Sequence, residues 1–118
     1  MRLALIIALF LTAGCSSFDI SRPFAQGATR TFNASIARVK PAFVTSLVQM
    51  GMSISSIETR GGLEVLKAKR SGSSVEVEFE RLGPASTRVR VATYAGSTYD
   101  AAGASKVIQQ TEKLLGGA

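Results

Sequence analysis

The 118-residue chain contains no histidine, no tryptophan and a single cysteine, Cys15. Without histidine, the Ser-His-Asp and Cys-His arrangements that activate a nucleophile are excluded, and the commonest side-chain ligand of zinc is missing. The Gly-Gly pairs at 61–62 and 116–117 lack the framework of a phosphate-binding loop. An enzyme built from Lys, Glu and Tyr side chains, such as Tyr94 and Tyr99, is the less favoured alternative. We therefore expect a non-catalytic protein with no metal site.

Long apolar segments are also absent from the chain. The run at residues 3–11 has nine apolar residues, whereas a transmembrane helix needs about 20. Arg2 precedes this run and small residues follow it, which is the order of a secretory signal. We predict a signal peptide at residues 1–14.

Cys15 closes the segment Leu-Thr-Ala-Gly-Cys at residues 11–15, which resembles a bacterial lipobox. The resemblance implies cleavage between Gly14 and Cys15, with covalent diacylglyceryl and N-acyl lipid on Cys15 and no other cofactor. An ordinary secretory signal, the alternative, leaves the cysteine unexplained. Ser16 stands where an aspartate resembles an inner-membrane retention signal. The predicted location is therefore the periplasmic face of the outer membrane, with the inner membrane less favoured.

We predict a lipidated tether at residues 15–27 and a single small domain at residues 28–118. Phe18, Ile20 and Phe24 make the tether more apolar than a free linker requires. These side chains either lie against the domain or enter the surface of the bilayer. Because the one cysteine is committed to lipid, the domain must be stabilised by its apolar core without a disulfide.

The chain is basic, with a net charge of +6 that falls by one when Arg2 leaves with the signal. Nucleic acid is a common partner of basic proteins, but export excludes it here. The expected partners are the membrane, through the lipid anchor, and an envelope protein, an anionic lipid or lipopolysaccharide. The alternative is that the charge only maintains solubility.

The sequence pattern of the domain predicts an α+β fold with the element order β-α-β-β-β-β-α. A strand at 29–33 precedes a helix with Ser35 as N-cap and Gly51 at its C-terminal end. Pro41 predicts either a kink or a later start of this helix. Apolar residues recur every three or four positions along the helix and predict one buried face: Ile36, Val39, Phe43, Leu47 and Met50.

Four strands are predicted after this helix, at 52–60, 63–70, 74–81 and 87–95. The glycines at 61–62 suit a two-residue hairpin turn. In the first of the four strands, Ser55-Ser56 interrupts the alternation of apolar and polar residues and predicts a bulge. The last two strands alternate apolar with charged residues, which predicts an antiparallel sheet with one buried and one solvated face.

Side-chain parity predicts the register of the charged face. A two-residue turn at 71–72 pairs Arg70 with Ser73 and sets Lys67 against Glu76, because a turn one residue longer places a core residue opposite a glutamate. In the next hairpin, the glutamates at 78 and 80 face the arginines at 90 and 88. Each pair contributes up to about 1 kcal/mol. The alternative, a cation held by the clustered carboxylates, is disfavoured by the flanking basic strands.

The final helix has three candidate N-caps, Ser97, Thr98 and Asp100. Small residues in its first turns predict a close approach to the sheet. Its predicted buried stripe consists of Ala101, Ala104, Ile108, Thr111 and Leu115. The resulting fold is an antiparallel sheet with two helices on one face.

Three segments carry a resemblance to known proteins: 47–51, the run Thr-Arg-Val-Arg-Val at 87–91, and 96–100. They resemble a group of small proteobacterial lipoproteins that contain a domain of unknown function. The element order is shared by helix-grip and TATA-binding-like folds, and is more distantly similar to the helix-grip domains of an accessory lipoprotein of the outer-membrane β-barrel assembly machine.

Two functions are left open by the sequence. The first is an anchored, non-catalytic interaction module that docks an envelope protein through its sheet edge or a helix face. The second is a binder of a small apolar ligand or lipid in a pocket between helix and sheet. Val77 and Phe79 are the side chains that we expect to face such a pocket.

Overall fold

The structure, a computed structural model, describes residues 27–116 of the chain. Within this range it confirms an α+β fold with an antiparallel sheet and two helices. A two-residue strand, β6, is an addition to the predicted order. The elements are β1 (Ala28–Phe32), α1 (Ile36–Gln49), β2 (Ser53–Arg60), β3 (Leu63–Arg70), β4 (Ser73–Gly83), β5 (Ser86–Ala95), β6 (Thr98–Tyr99) and α2 (Ala101–Leu114).

The sheet has the strand order β1-β5-β4-β3-β2, and β6 pairs with the end of β5. The predicted register is confirmed: Arg70 pairs with Ser73 and Lys67 with Glu76, and the 78–90 and 80–88 pairs form between β4 and β5. Parity decides this register because a shift of one residue would turn the apolar side chains toward solvent.

The predicted turn and bulge are both present. Gly61 and Gly62 have φ values of 58° and 84°, and a tight two-residue hairpin of this kind requires positive φ at both positions. The register between β2 and β3 shifts between Ile54 and Ser56. The extra residue lets Ile54 and Ile57 stay on the same face of the sheet, opposite Ala68 and Leu66 of β3.

The core lies between the sheet and the two helices. Three phenylalanines form its centre: the ring centroids of Phe32 and Phe43 are 5.6 Å apart, and those of Phe43 and Phe79 are 5.5 Å apart, both edge to face. The predicted stripe of α1 is confirmed, with three of its residues fully buried and two partly buried. Other buried members of the core include Leu66, Val75, Val77, Val89, Val91, Ala104, Val107 and Ile108.

The stripe of α2 differs from its prediction at one end. Ala104, Ile108 and Thr111 are buried as expected, but Val107 is buried as well and Ala101 is exposed. The first turn of α2 contacts the sheet through Gly103, where an added Cβ would lie 2.9 Å from Thr93 Cγ2. The predicted close approach is therefore made by the glycine and not by Ala101.

The ends of α1 follow the sequence signals only in part. Ser35 occupies the N-cap position without a side-chain cap hydrogen bond, while Gly51 follows the C-cap with a φ of 82°. The helix begins at Ile36 and Pro41 lies inside it. The alternative prediction, that the helix starts later because of Pro41, was therefore wrong. Neither α1 nor α2, the two helices of residues 27–116, is long and apolar enough to cross a membrane.

A buried pair of hydroxyls joins the two helices. Thr111 Oγ1 donates to the carbonyl oxygen of Val107 at 2.8 Å, so Ser46 Oγ donates to Thr111 Oγ1, also at 2.8 Å. Both side chains are fully buried. The pair satisfies two polar groups that would otherwise destabilise the helix interface, and Ser46 was not among the predicted buried residues.

Candidate functional site

The predicted lipidation, cleavage and sorting residues lie outside the described range. Cys15, Gly14 and Ser16 all precede Gly27, where the description begins. The lipid anchor and its cleavage site therefore stay predictions from the sequence. What the structure shows is the domain that such an anchor would carry, and three of its surfaces bear on function.

The first surface is the charged face of the sheet. Arg88 donates to Glu80 Oε1 from Nε at 3.0 Å and from Nη2 at 2.8 Å. Arg60 lies 3.8 Å from Glu76. Across residues 27–116, no three metal-ligating side chains come together. Glu76 and Glu80 of this face thus lie beside arginine side chains.

The Glu78–Arg90 pair on this face is much less exposed than its neighbour. Arg90 donates to Glu78 from Nε at 3.2 Å and from Nη2 at 2.7 Å. The two side chains are 18% and 12% exposed, against 49% and 44% for Arg88 and Glu80. Burial lowers the pKa of Arg90, but the hydrogen bond and charge of Glu78 outweigh it and hold that pKa above its ordinary value. This fork-shaped contact is structural.

Tyr94 and Tyr99 also lie close together, at the end of the sheet where β6 pairs with β5. Their ring centroids are 5.9 Å apart and their planes are 69° from parallel. This edge-to-face geometry is that of a packing contact between aromatic side chains.

The second surface is the open edge of the sheet, which we call the β2 edge: strand β2 (Ser53–Arg60) with the neighbouring Val48 of α1. Strand β2 pairs only with β3. Ile57 is 52% exposed and Val48 is 56% exposed. Lys40, two helical turns before Val48, forms an ion pair with Glu64 of β3, so this row of α1 faces the β2 side of the sheet.

The third surface is a cleft of about 590 Å³, the α2 cleft, between one face of α2, the C-terminal end of α1 and the ends of β3, β4 and β5. Val75 and Thr93 line it on the sheet side. The cleft replaces the pocket predicted at Val77 and Phe79. That prediction was wrong, because neither residue lines the cleft and both side chains are packed inside the core, Phe79 against Phe43.

Cationic side chains outnumber acidic ones around the α2 cleft. Arg70, Lys106 and Lys113 line it, and among residues 27–116 Asp100 is the one acidic residue on its walls. Asp100 is the N-cap of α2 and accepts from the backbone N–H of Gly103 at 3.0 Å. Of the three N-caps that the sequence offered, the structure selects this one.

Some polar side chains around the cleft form hydrogen bonds or ion pairs within residues 27–116, and others do not. Arg70 Nη1 donates to the carbonyl oxygen of Met50 at 2.8 Å. Lys106 and Lys113 form no ion pair with any residue in 27–116. Thr93 Oγ1 is buried and has no hydrogen-bond partner in the same range. Sequence patterns reveal none of this, because the cleft is lined by residues from separate segments of the chain that only the tertiary fold brings together.

Comparison with known proteins leaves the function to be argued from these surfaces. No family model matches the chain, and no curated protein matches it.

Proposed function

We propose that the protein is a lipoprotein of the outer membrane, anchored through Cys15 on the periplasmic side, and that its domain is a non-catalytic module that binds an envelope protein. The anchor rests on the order of Arg2, the apolar run and the small residues before Cys15. The observation that carries the interaction is the open β2 edge with its exposed apolar flank.

The β2 edge has the features of a strand-addition site. Its eight residues present unpaired backbone N–H and C=O groups along one side. Proteins protect such edges with lysine, proline, a very short strand or a bulge. Strand β2 has no lysine or proline, and its one bulge lies between Ile54 and Ser56, so residues 56–60 form a regular edge. An extended segment of a partner that pairs with β2 would gain backbone hydrogen bonds, and Ile57 and Val48 would supply apolar contacts for its side chains.

The opposite edge of the sheet is less available. Strand β1 has five residues, and Arg30 on it forms an ion pair with Glu112 of α2. Arg30 pairs with Val89 in the sheet, which places its side chain on the face that carries the helices. The β2 edge is therefore the longer and less obstructed of the two.

Site-specific photocrosslinking in cells, with the full anchored chain, tests this proposal. A photoreactive residue at Thr59, exposed on β2, should give one dominant adduct. In an Ile57→Asp background we expect its yield to fall about fivefold, which corresponds to about 1 kcal/mol of binding energy. The matched control is Leu82→Asp at another exposed apolar position, where the yield should not change. A smear of abundant envelope proteins, or an adduct insensitive to Ile57→Asp, would contradict the proposal.

A further inference from the structure

We propose that the α2 cleft binds an amphiphile with a single apolar chain and an anionic head group. This site lies at the end of the domain formed by the β3–β4 turn, away from the exposed Ile57 of the β2 edge, and it is independent of the proposed docking of a protein there. Three observations support it: uncompensated positive charge, an apolar wall and a suitable size.

The positive charge comes from Lys106 and Lys113, which lie two turns apart on the same face of α2. Both are exposed and neither pairs with a carboxylate within residues 27–116. Glu112, the acidic neighbour of Lys113 in sequence, is engaged with Arg30. An anionic head group would therefore meet two lysines that have no competing carboxylate partner in the described domain.

Arg70 adds a third cation at the opposite wall. Its guanidinium has five N–H donors, and within the described domain it makes one hydrogen bond, to the carbonyl oxygen of Met50. That bond fixes the side chain beside the cleft and leaves donors for an anion. Planar guanidinium groups bind carboxylate and phosphate oxygens in pairs, so the head group that fits this wall is a carboxylate or a phosphate with net negative charge.

The apolar part of the wall suits a flexible chain. Met50, Met52, Val75, Ala102 and Val107 line the cleft together with the cations. Methionine side chains adapt to irregular apolar ligands because they are unbranched and polarizable. The volume of about 590 Å³ falls within the range of about 300–1,000 Å³ that is typical of small-molecule sites.

Photoaffinity labelling of the full lipidated chain in phosphatidylcholine nanodiscs tests the inference. The probes are single-chain amphiphiles with a diazirine in the chain: a fatty acid, a lysophosphatidylglycerol and, as the zwitterionic control, a lysophosphatidylcholine. We expect at least one anionic probe to label the peptides that contain Met50, Met52 and Val75, and the zwitterionic probe to label them several-fold less. Labelling by the fatty acid alone would identify a carboxylate ligand, and labelling by the lysophospholipid alone a phosphate ligand.

Two pairs of variants separate cleft binding from general attraction to a basic protein. Lys106→Ala/Lys113→Ala should reduce labelling at least fivefold, whereas Arg38→Ala/Arg81→Ala, which removes the same charge at exposed positions outside the cleft, should not. Ala102→Phe should obstruct the cleft at an exposed lining position, with Ala101→Phe, exposed but not lining it, as the control. Equal labelling by all three probes, or equal losses within either pair, would overturn the inference.

Discussion

The Glu78–Arg90 pair is the contact of the charged face whose loss we expect to cost most. Replacing Glu78 with Gln removes the carboxylate to which the guanidinium of Arg90, 18% exposed, donates two hydrogen bonds. We expect the free energy of unfolding to fall by about 2 kcal/mol, since weakening a mostly buried ion pair by removing one of its charges is costly. Glu80→Gln breaks a pair that is nearly half exposed and should cost less than about 1 kcal/mol. Urea unfolding of both variants measures the difference, and equal losses would contradict it.

For the charged face, the sequence predicted which residues pair across the strands but not how far each pair is buried. The predicted hairpin, which pairs Arg81 with Thr87, set Glu78 against Arg90, and the structure confirms both pairs. Their burial depends on neighbours from other segments: Gly27 lies so close that an added Cβ would be 3.0 Å from Arg90 Cγ. Proximity between the start of β1 and the middle of β5 comes from long-range strand pairing, which no local pattern in the sequence reports.

Among the elements, α2 is held to the sheet at a point where only glycine fits. A Cβ at Gly103 would lie 2.5 Å from Asp100 Oδ2 and 2.9 Å from Thr93 Cγ2. Gly103→Ala gains up to about 1 kcal/mol of helix propensity, yet it must displace both the N-cap and the sheet contact. We expect a net loss of about 1 kcal/mol or more. Thermal unfolding measures this loss of stability, with Ser105→Ala, an exposed change on the same helix, as the control. A Gly103→Ala variant more stable than the wild type would refute the close contact.

The elements themselves were largely predictable because their signals are local. Hairpin glycines, alternation and the Ser55-Ser56 interruption all act within a few residues. Strand β6 was not predicted because two residues are too few to show a period. It forms by pairing with Tyr94 and Ala95 of β5. The pocket was misplaced for a related reason. Sequence indicates that Val77 and Phe79 face the helices, but only tertiary packing decides whether the space above them is filled.

For the whole molecule, Cys15 carries the prediction with the largest consequence. Labelled palmitate should enter the wild-type protein and not Cys15→Ala, and inhibition of the lipoprotein signal peptidase should leave a larger precursor. Equal labelling of both forms would refute the anchor.

Ser16→Asp should move the protein toward the inner membrane on fractionation, while Ser17→Asp, with the same added charge, should not. Identical distributions of these two variants would contradict sorting by the residue after the cysteine.

The pairing of Ala28 with Val91 fixes where the chain before β1 leaves the domain. That point is at the end of the sheet that holds Thr93 and the α2 cleft, and opposite the end that holds the turn at Gly61-Gly62. A tether of residues 15–26 reaches at most about 43 Å. In a chain anchored through Cys15, the tether would therefore join the domain at the same end of the sheet as the cleft.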